Sequence, residues 1–325
     1  MKYIRFNYIQ LRQAFIASLI LIIGIGCSAD LEDFIPNSLG EKKEAILQKR
    51  IKGNMSRELF NKNKILNKLL TEFSPSQISG GIYNYSGIII YFGVAKYANA
   101  DEGYGVYSGL TAIPRERWEY NDGEISYKAP FVAGWKGIYA FWFYSSTNPT
   151  TYSSFYRNYG EELLERIKIS HNSKISNRAY HHNLLPLENR YKNSIFYTKS
   201  RIIYGIDFEN AYGATYQLGR NAAQVYIGKF DSEDAAKSKL LGWIDLLKNR
   251  SKKPQPFTIM IGSPEKAFYW EENSGTQAIC QYRWMIFLIN DLPHLTFAEN
   301  IIRNIYRNIQ SNRDEILPKQ DNKGN

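Results

Sequence analysis

The chain's stock of groups that could hold a metal or move a proton is small: four histidines, two cysteines and a few paired carboxylates. His181 and His182 are adjacent, and His171 precedes them by ten residues. Neighbouring side chains on an extended segment point to opposite faces, so this pair cannot close on one ion. No cysteine or acid stands near them at a zinc-type spacing, and His294, after Pro293, is equally alone. The acid pairs Glu161-Glu162 and Glu271-Glu272 are of the type a glycoside hydrolase needs, two carboxylates facing each other across a bond. Glu161 and Glu162, however, precede Arg166 at helical spacing, which suits a solvated helix face.

Cys280 lies in "TQAICQYRWMIFLIN", a run dense in β-branched and aromatic residues, and reads as a buried strand position. A nucleophilic thiol needs a basic partner and an exposed turn, and the sequence shows neither. Gly103, Gly105 and Gly109 in "GYGVYSG" mimic a dinucleotide-binding loop, but the last gap is three residues instead of two. They also fall within a helix, where small residues let it approach a sheet. No catalytic, cofactor-binding or metal-binding residue is therefore assigned, and no cofactor is expected. Aromatic and basic residues interleave in "SSFYRNYG", "NRYKNS" and "QYRWM", a composition that can stack on sugars or grip an acidic polymer. Core packing accounts for the last of the three.

The elements that must position these residues follow a recurring pattern. In "IIIYFGVAKYANADEGYGVYSGL" and "AAQVYIGKFDSEDAAKSKLLGWI" an apolar strand ends in Lys plus an aromatic, Lys96-Tyr97 and Lys229-Phe230. A turn follows, then an acid-started helix, with Asn99 and Glu102, or Asp231 and Asp234, at cap-plus-acid spacing. In the first half come "ISYKAPFVAGWKGIYAFWFYSS", two strands broken near Gly134, and the helix "TTYSSFYRNYGEELLERIKI". In the second come "FTIMIG", "KAFYWEE" and "QAICQYRWMIFLIN", and the helix "TFAENIIRNIYRNI". The pattern predicts an α+β fold of two similar β-α-β-β-α units forming mostly antiparallel sheets covered by helices. The strings "NAYGATYQLG", "DSEDAA", "ADEGYGVYSGL" and "GWKGIYAFWF" also resemble an uncharacterised family of secreted bacterial proteins, over roughly residues 80 to 310. That resemblance implies an architecture and carries over no site.

The N-terminus supplies the address. Lys2, Arg5 and Arg12, with no acid, lead into the twelve-residue apolar run Ala14 to Ile25. Twelve helical residues cover about 18 Å, short of a hydrocarbon core of about 30 Å. A basic start, a short apolar core and Gly26 before Cys27 are similar to a bacterial lipoprotein signal, with Gly24 where that signal carries a branched residue. The resemblance implies cleavage before Cys27 and acylation of its thiol. Cleaved secretion without lipid and an uncleaved anchor are the competing readings. Ser28 and Ala29 lack the acid that retains some lipoproteins at an inner membrane, which leaves sorting to an outer membrane open.

Losing Lys2, Arg5 and Arg12 would take the formal charge from +10 to +7. A scattered excess of that size is ordinary solubilising charge, and a secreted chain does not meet nucleic acid. With Cys27 acylated, Cys280 has no disulfide partner. The 25 Tyr, 17 Phe and 6 Trp exceed what polar surface alone would use, so some line the core and any surplus is binding area.

The expected organisation is a signal peptide at 1–26, a tether and N-terminal helical segment at 27–75, α+β units at 76–170 and 196–312, a polar linker at 171–195 and a disordered tail at 313–325. Ile46, Ile51, Leu59, Ile65, Leu66, Leu69 and Leu70 predict one or two amphipathic helices within the tether. The functional expectation is a lipid-anchored protein of the bacterial cell envelope, a non-enzymatic module that binds a protein or an envelope component, with a protein or a glycan as the possible partner. The alternative is a secreted hydrolase acting on glycan or peptide.

Overall fold

The computed structural model describes residues 31–39, 45–111, 117–120, 123–128, 131–145, 153–167, 184–191, 193–259 and 266–311. The expectations for the signal segment, Cys27, His171, His181, His182 and the 313–325 tail lie outside these residues. Among the described residues, no helix is long and apolar enough to cross a membrane.

The first half opens with a short turn of 3-10 helix at Leu31–Phe34 and the two-residue strand β1 (Ser38–Leu39), then β2 (Ala45–Lys52) and the helices α1 (Asn54–Asn61) and α2 (Lys64–Phe73). It continues with β3 (Gln77–Tyr85), β4 (Ile88–Lys96), α3 (Ala100–Leu110), β5 (Arg117–Tyr120), β6 (Gly123–Lys128), β7 (Phe131–Lys136), β8 (Tyr139–Ser145) and α4 (Ser153–Arg166). Its strands form one sheet in the order β1-β2-β3-β4-β8-β7-β6-β5. The second half comprises β9 (Phe196–Ile203), β10 (Ile206–Leu218), β11 (Asn221–Lys229), α5 (Glu233–Asn249), β12 (Gln255–Pro256), β13 (Lys266–Glu272), β14 (Gly275–Tyr282), β15 (Met285–Leu292) and α6 (Leu295–Ser311). Its sheet runs β12-β13-β14-β15-β11-β10-β9. The fold is thus α+β, with two sheet-rich halves each flanked by helices, and the described strand pairs are antiparallel.

Three apolar clusters explain this arrangement. One face of the first sheet buries Tyr83, Phe92, Phe141 and Phe143 beneath Leu163 and Leu164 of α4 and Phe34 of the opening turn. One face of the second buries Phe208, Tyr226 and Leu288 beneath Leu240 and Trp243 of α5. The largest cluster joins the halves, running from Phe60, Trp135 and Trp142 through Tyr104 to Tyr212, Phe287 and Ile305. β8, with Phe141, Trp142 and Phe143 all fully buried, is covered on both faces, as its unbroken apolar run requires.

α3 is the hinge pin of this packing. Nine of its eleven residues are buried, and it packs on β7 and β8 of one sheet and on β9 of the other. Its glycines make the approach possible: a Cβ at Gly105 would lie 2.4 Å from Phe73 Cζ and 3.0 Å from Tyr197 Cδ1, and one at Gly109 would lie 2.5 Å from Leu69 Cδ2.

The structure departs from the sequence reading in the first half and at the start of α5. Residues 45–52, read as helical, are a strand paired with β3, and Gly53, with φ of 56°, separates it from α1. The break expected near Gly134 lies at Gly137, which has φ of 56°, whereas Gly134 sits within β7 where a Cβ would lie 2.1 Å from the Phe141 ring. Three strands, β6 to β8, therefore occupy the stretch read as two. α5 is capped by Ser232, which accepts from Ala235 N at 3.1 Å, so Asp231 lies one residue outside the helix.

Candidate functional site

At the junction of the halves, a cleft of about 550 Å³ is lined by Asn99 and Asp101 from the start of α3, Tyr197 of β9, Asn210 and Tyr212 of β10, Lys229 at the end of β11, Phe230, Asp231 and Trp284. Each arrives there for a local reason. Asn99, in an extended conformation, accepts from Glu102 N at 2.9 Å and starts α3, which places Asp101 in the helix's first turn. Glu102 returns its carboxylate to Ala98 N at 3.4 Å, a variant of the reciprocal capping expected from the sequence. β11 and β15 pair through Lys229 and Met285, and Phe230 N donates to Trp284 O at 2.9 Å, so the β14–β15 turn is pinned beside the Lys-Phe end.

The floor is polar and hydrogen-bonded. Tyr212 donates to Asp101 Oδ1 at 2.7 Å and Tyr197 donates to Asn210 Oδ1 at 3.1 Å. Burial holds the Asp101 carboxyl above its ordinary value, while the Tyr212 hydrogen bond and the Lys229 ammonium pull it back. Burial, with Asp101 next to it, drives the Tyr212 hydroxyl well above 10, so it stays protonated and donates. Behind the floor, Lys199 meets Glu102 at 2.6 Å, and Glu72 accepts from Lys199 N at 2.9 Å and Thr198 Oγ1 at 3.1 Å. Three carboxylates of the first half are thus answered by donors of the second.

The walls differ in character. Lys229 and Asp231 are exposed, and Phe230 and Trp284 are half-exposed with ring area left for a ligand. The cleft therefore offers aromatic surface together with amide, carboxylate and ammonium groups within one concavity, the composition of a site for a polar ligand with apolar faces.

The paired carboxylates, His294 and Cys280 weighed in the sequence lie elsewhere and do not converge. Glu161 pairs with Arg157 at 2.8 Å and Glu162 with Arg166, both along α4. Glu271 accepts from Thr276 at 3.0 Å, and Glu272 pairs with Lys252 and accepts from Trp270 Nε1 at 3.1 Å. His294 is exposed and bonded to Thr296. Cys280 is fully buried in β14, and burial pushes its thiol far up. Among the described residues, no group of three His, Cys, Asp or Glu side chains could hold a metal ion.

"QYRWM", assigned to the core by the sequence reading, instead turns at Arg283, whose φ is 51°. The Arg283 guanidinium lies 5.7 Å and 5.9 Å over the Tyr282 and Trp284 rings. A turn dipeptide with both residues half-exposed delivers Trp284 to the cleft, and periodicity gives no sign of it.

No protein-family model, curated protein or solved structure matches this chain.

Proposed function

We propose that this is a lipid-anchored protein of the bacterial cell envelope whose cleft binds an envelope glycan without transforming it. The cleft's composition carries the reading: half-exposed Phe230 and Trp284 beside Asn99, Asp101, Asn210, Lys229 and Asp231. Sugars present flat C–H faces to aromatic rings and hydroxyls to amides and carboxylates. The anchor is supported by the basic start, the short apolar run and Cys27.

The two halves are, on this proposal, copies of one unit. Support comes from the order β2-β3-β4-β8-β7-β6-β5 beside β9-β10-β11-β15-β14-β13-β12, with α3 and α5 after the third strand of each series and α4 and α6 after the last. The repeated unit would be longer than β-α-β-β-α, and the cleft would form where the Lys-aromatic end of the second copy meets the capped helix of the first.

The experiment is a titration of the detergent-solubilised protein with soluble peptidoglycan fragments and chito-oligosaccharides, followed by tryptophan fluorescence. A saturable change that disappears in Trp284→Ala is expected. No response to either probe overturns the glycan reading. A second reading, a hydrolase, draws on Asp101, a carboxyl held above its ordinary value in the same cleft as Asp231. New reducing ends that appear with the native chain and vanish in both Asp101→Asn and Asp231→Asn would replace the binder with that enzyme.

A further inference from the structure

α6 carries Asn300, Arg303, Asn304, Arg307 and Asn308 at helical three-and-four spacing, and this stripe faces segment 184–191. The asparagines hold that segment: Asn308 Nδ2 donates to Leu184 O at 3.2 Å and Asn304 Nδ2 to Glu188 Oε2 at 3.3 Å. Between α6, the segment and the end of β10 lies a second concavity of about 300 Å³, with Tyr216, Leu218 and Ile301 as its buried floor. It shares no lining residue with the cleft.

Of the two arginines, the fold explains only one. Arg307 is exposed and reaches Asn304 Oδ1 at 3.5 Å, which suits a solvated helix face. Arg303 does not fit that account, because it is half-buried and its Nε is shielded from solvent with no hydrogen-bond acceptor among the described residues. A buried donor on a cation without an acceptor is costly, and such groups in stable proteins face a counter-charge. Glu188, the carboxylate lining this pocket, is engaged by Asn304 instead. The guanidinium fork is shaped for two oxygens of one oxyanion, and the apolar floor suits a short carbon body attached to it.

We propose that this pocket binds a small organic oxyanion, a carboxylate or a phosphate ester, through Arg303 with Arg307 at its rim. The test is calorimetric titration of the full chain in detergent with glutarate and, separately, with glycerol 3-phosphate, at an ionic strength fixed by chloride. Saturable binding of at least one probe is expected, and the tighter of the two assigns the head group. Arg303→Gln should weaken it at least tenfold, and Arg303→Lys should weaken it too, since charge without the fork does not suffice. Trp284→Ala, at the other site, should leave it unchanged, which keeps this proposal separable from the glycan reading. Heat no greater than the chloride control for both probes overturns the proposal. So does native-like affinity in Arg303→Lys or Arg303→Gln with an unfolding midpoint equal to the native one.

Discussion

The packing of α3 makes a prediction in which one substitution has opposite signs at two sites. Alanine is favoured over glycine within a helix by about 1 kcal/mol. At Gly242, in α5, an added Cβ meets no atom within 4 Å and the position is exposed, so Gly242→Ala should stabilise by about that amount. At Gly105 the same methyl would stand 2.4 Å and 2.5 Å from Phe73 Cζ and Cε1. Ordinary contact is about 3.5–4.0 Å, so the ring would have to retreat by more than about 1 Å. Phe73 is 1% exposed and leans on Tyr197, with ring centroids 6.0 Å apart, so retreat displaces a second buried ring. Overpacking of this kind costs about 1–3 kcal/mol. Taking the upper end and offsetting the helix preference leaves a net loss of about 2 kcal/mol, and a gap of about 3 kcal/mol between the variants. Urea unfolding followed by circular dichroism, read at unchanged slope, measures both. A Gly105→Ala variant as stable as Gly242→Ala would refute the close approach of α2 and β9 to α3.

Three further outcomes are expected. Asp101 has a folded pKa above the 3.8 of a free carboxyl, so the stability its protonated form contributes is present below about pH 4 and is lost as pH rises through the folded value; Asp101→Asn should flatten that decline, and equal slopes in the two proteins would contradict it. Lys199→Met removes one partner of an ion pair whose Glu102 side is 9% exposed and whose lysine is 41% exposed, so a loss of about 1–2 kcal/mol is expected in denaturant titration, below that of a fully buried pair. In a Cys27→Ser chain, Cys280 should take up no thiol reagent until the protein unfolds, and then one equivalent, because its thiol is buried and held protonated; prompt native labelling would show that β14 opens.

What the sequence disclosed and what it hid divide along physical lines. The strand "IIIYFGVAK" declares itself as an unbroken apolar run, and the helix of Ile301, Ile302, Ile305 and Ile309 because burial repeats at the helical period. β2 does not, since most of its residues are exposed and its register with β3 shifts between Leu47 and Lys49, which blurs a period of two. Gly134 and Gly137 look alike in one dimension, yet one yields space to a ring and the other supplies a left-handed turn. Lys229-Phe230, Asn99 and Asp231 were visible as recurring punctuation around strand and helix ends. Their meeting with Tyr197 and Tyr212 depends on how two sheets pack, and periodicity carries no information about that. Ser232 and Asp231 are both competent caps by residue type, and only the chain's path selects the serine and leaves the aspartate facing the cleft.

The burial of α3 bears on how such a chain folds as it is made. Synthesis proceeds from the N-terminus, so the first sheet and α3 exist before β9 has emerged. Until then the side of α3 that will receive Tyr197 is bare, Tyr104 lacks the Ile195 carbonyl that accepts its hydroxyl at 3.1 Å, and Glu102 lacks Lys199. The early half is therefore a sticky intermediate, with apolar surface open to misassembly. That exposure ends with the arrival of β9, so the distance along the chain between α3 and β9 sets a waiting period as well as a connection.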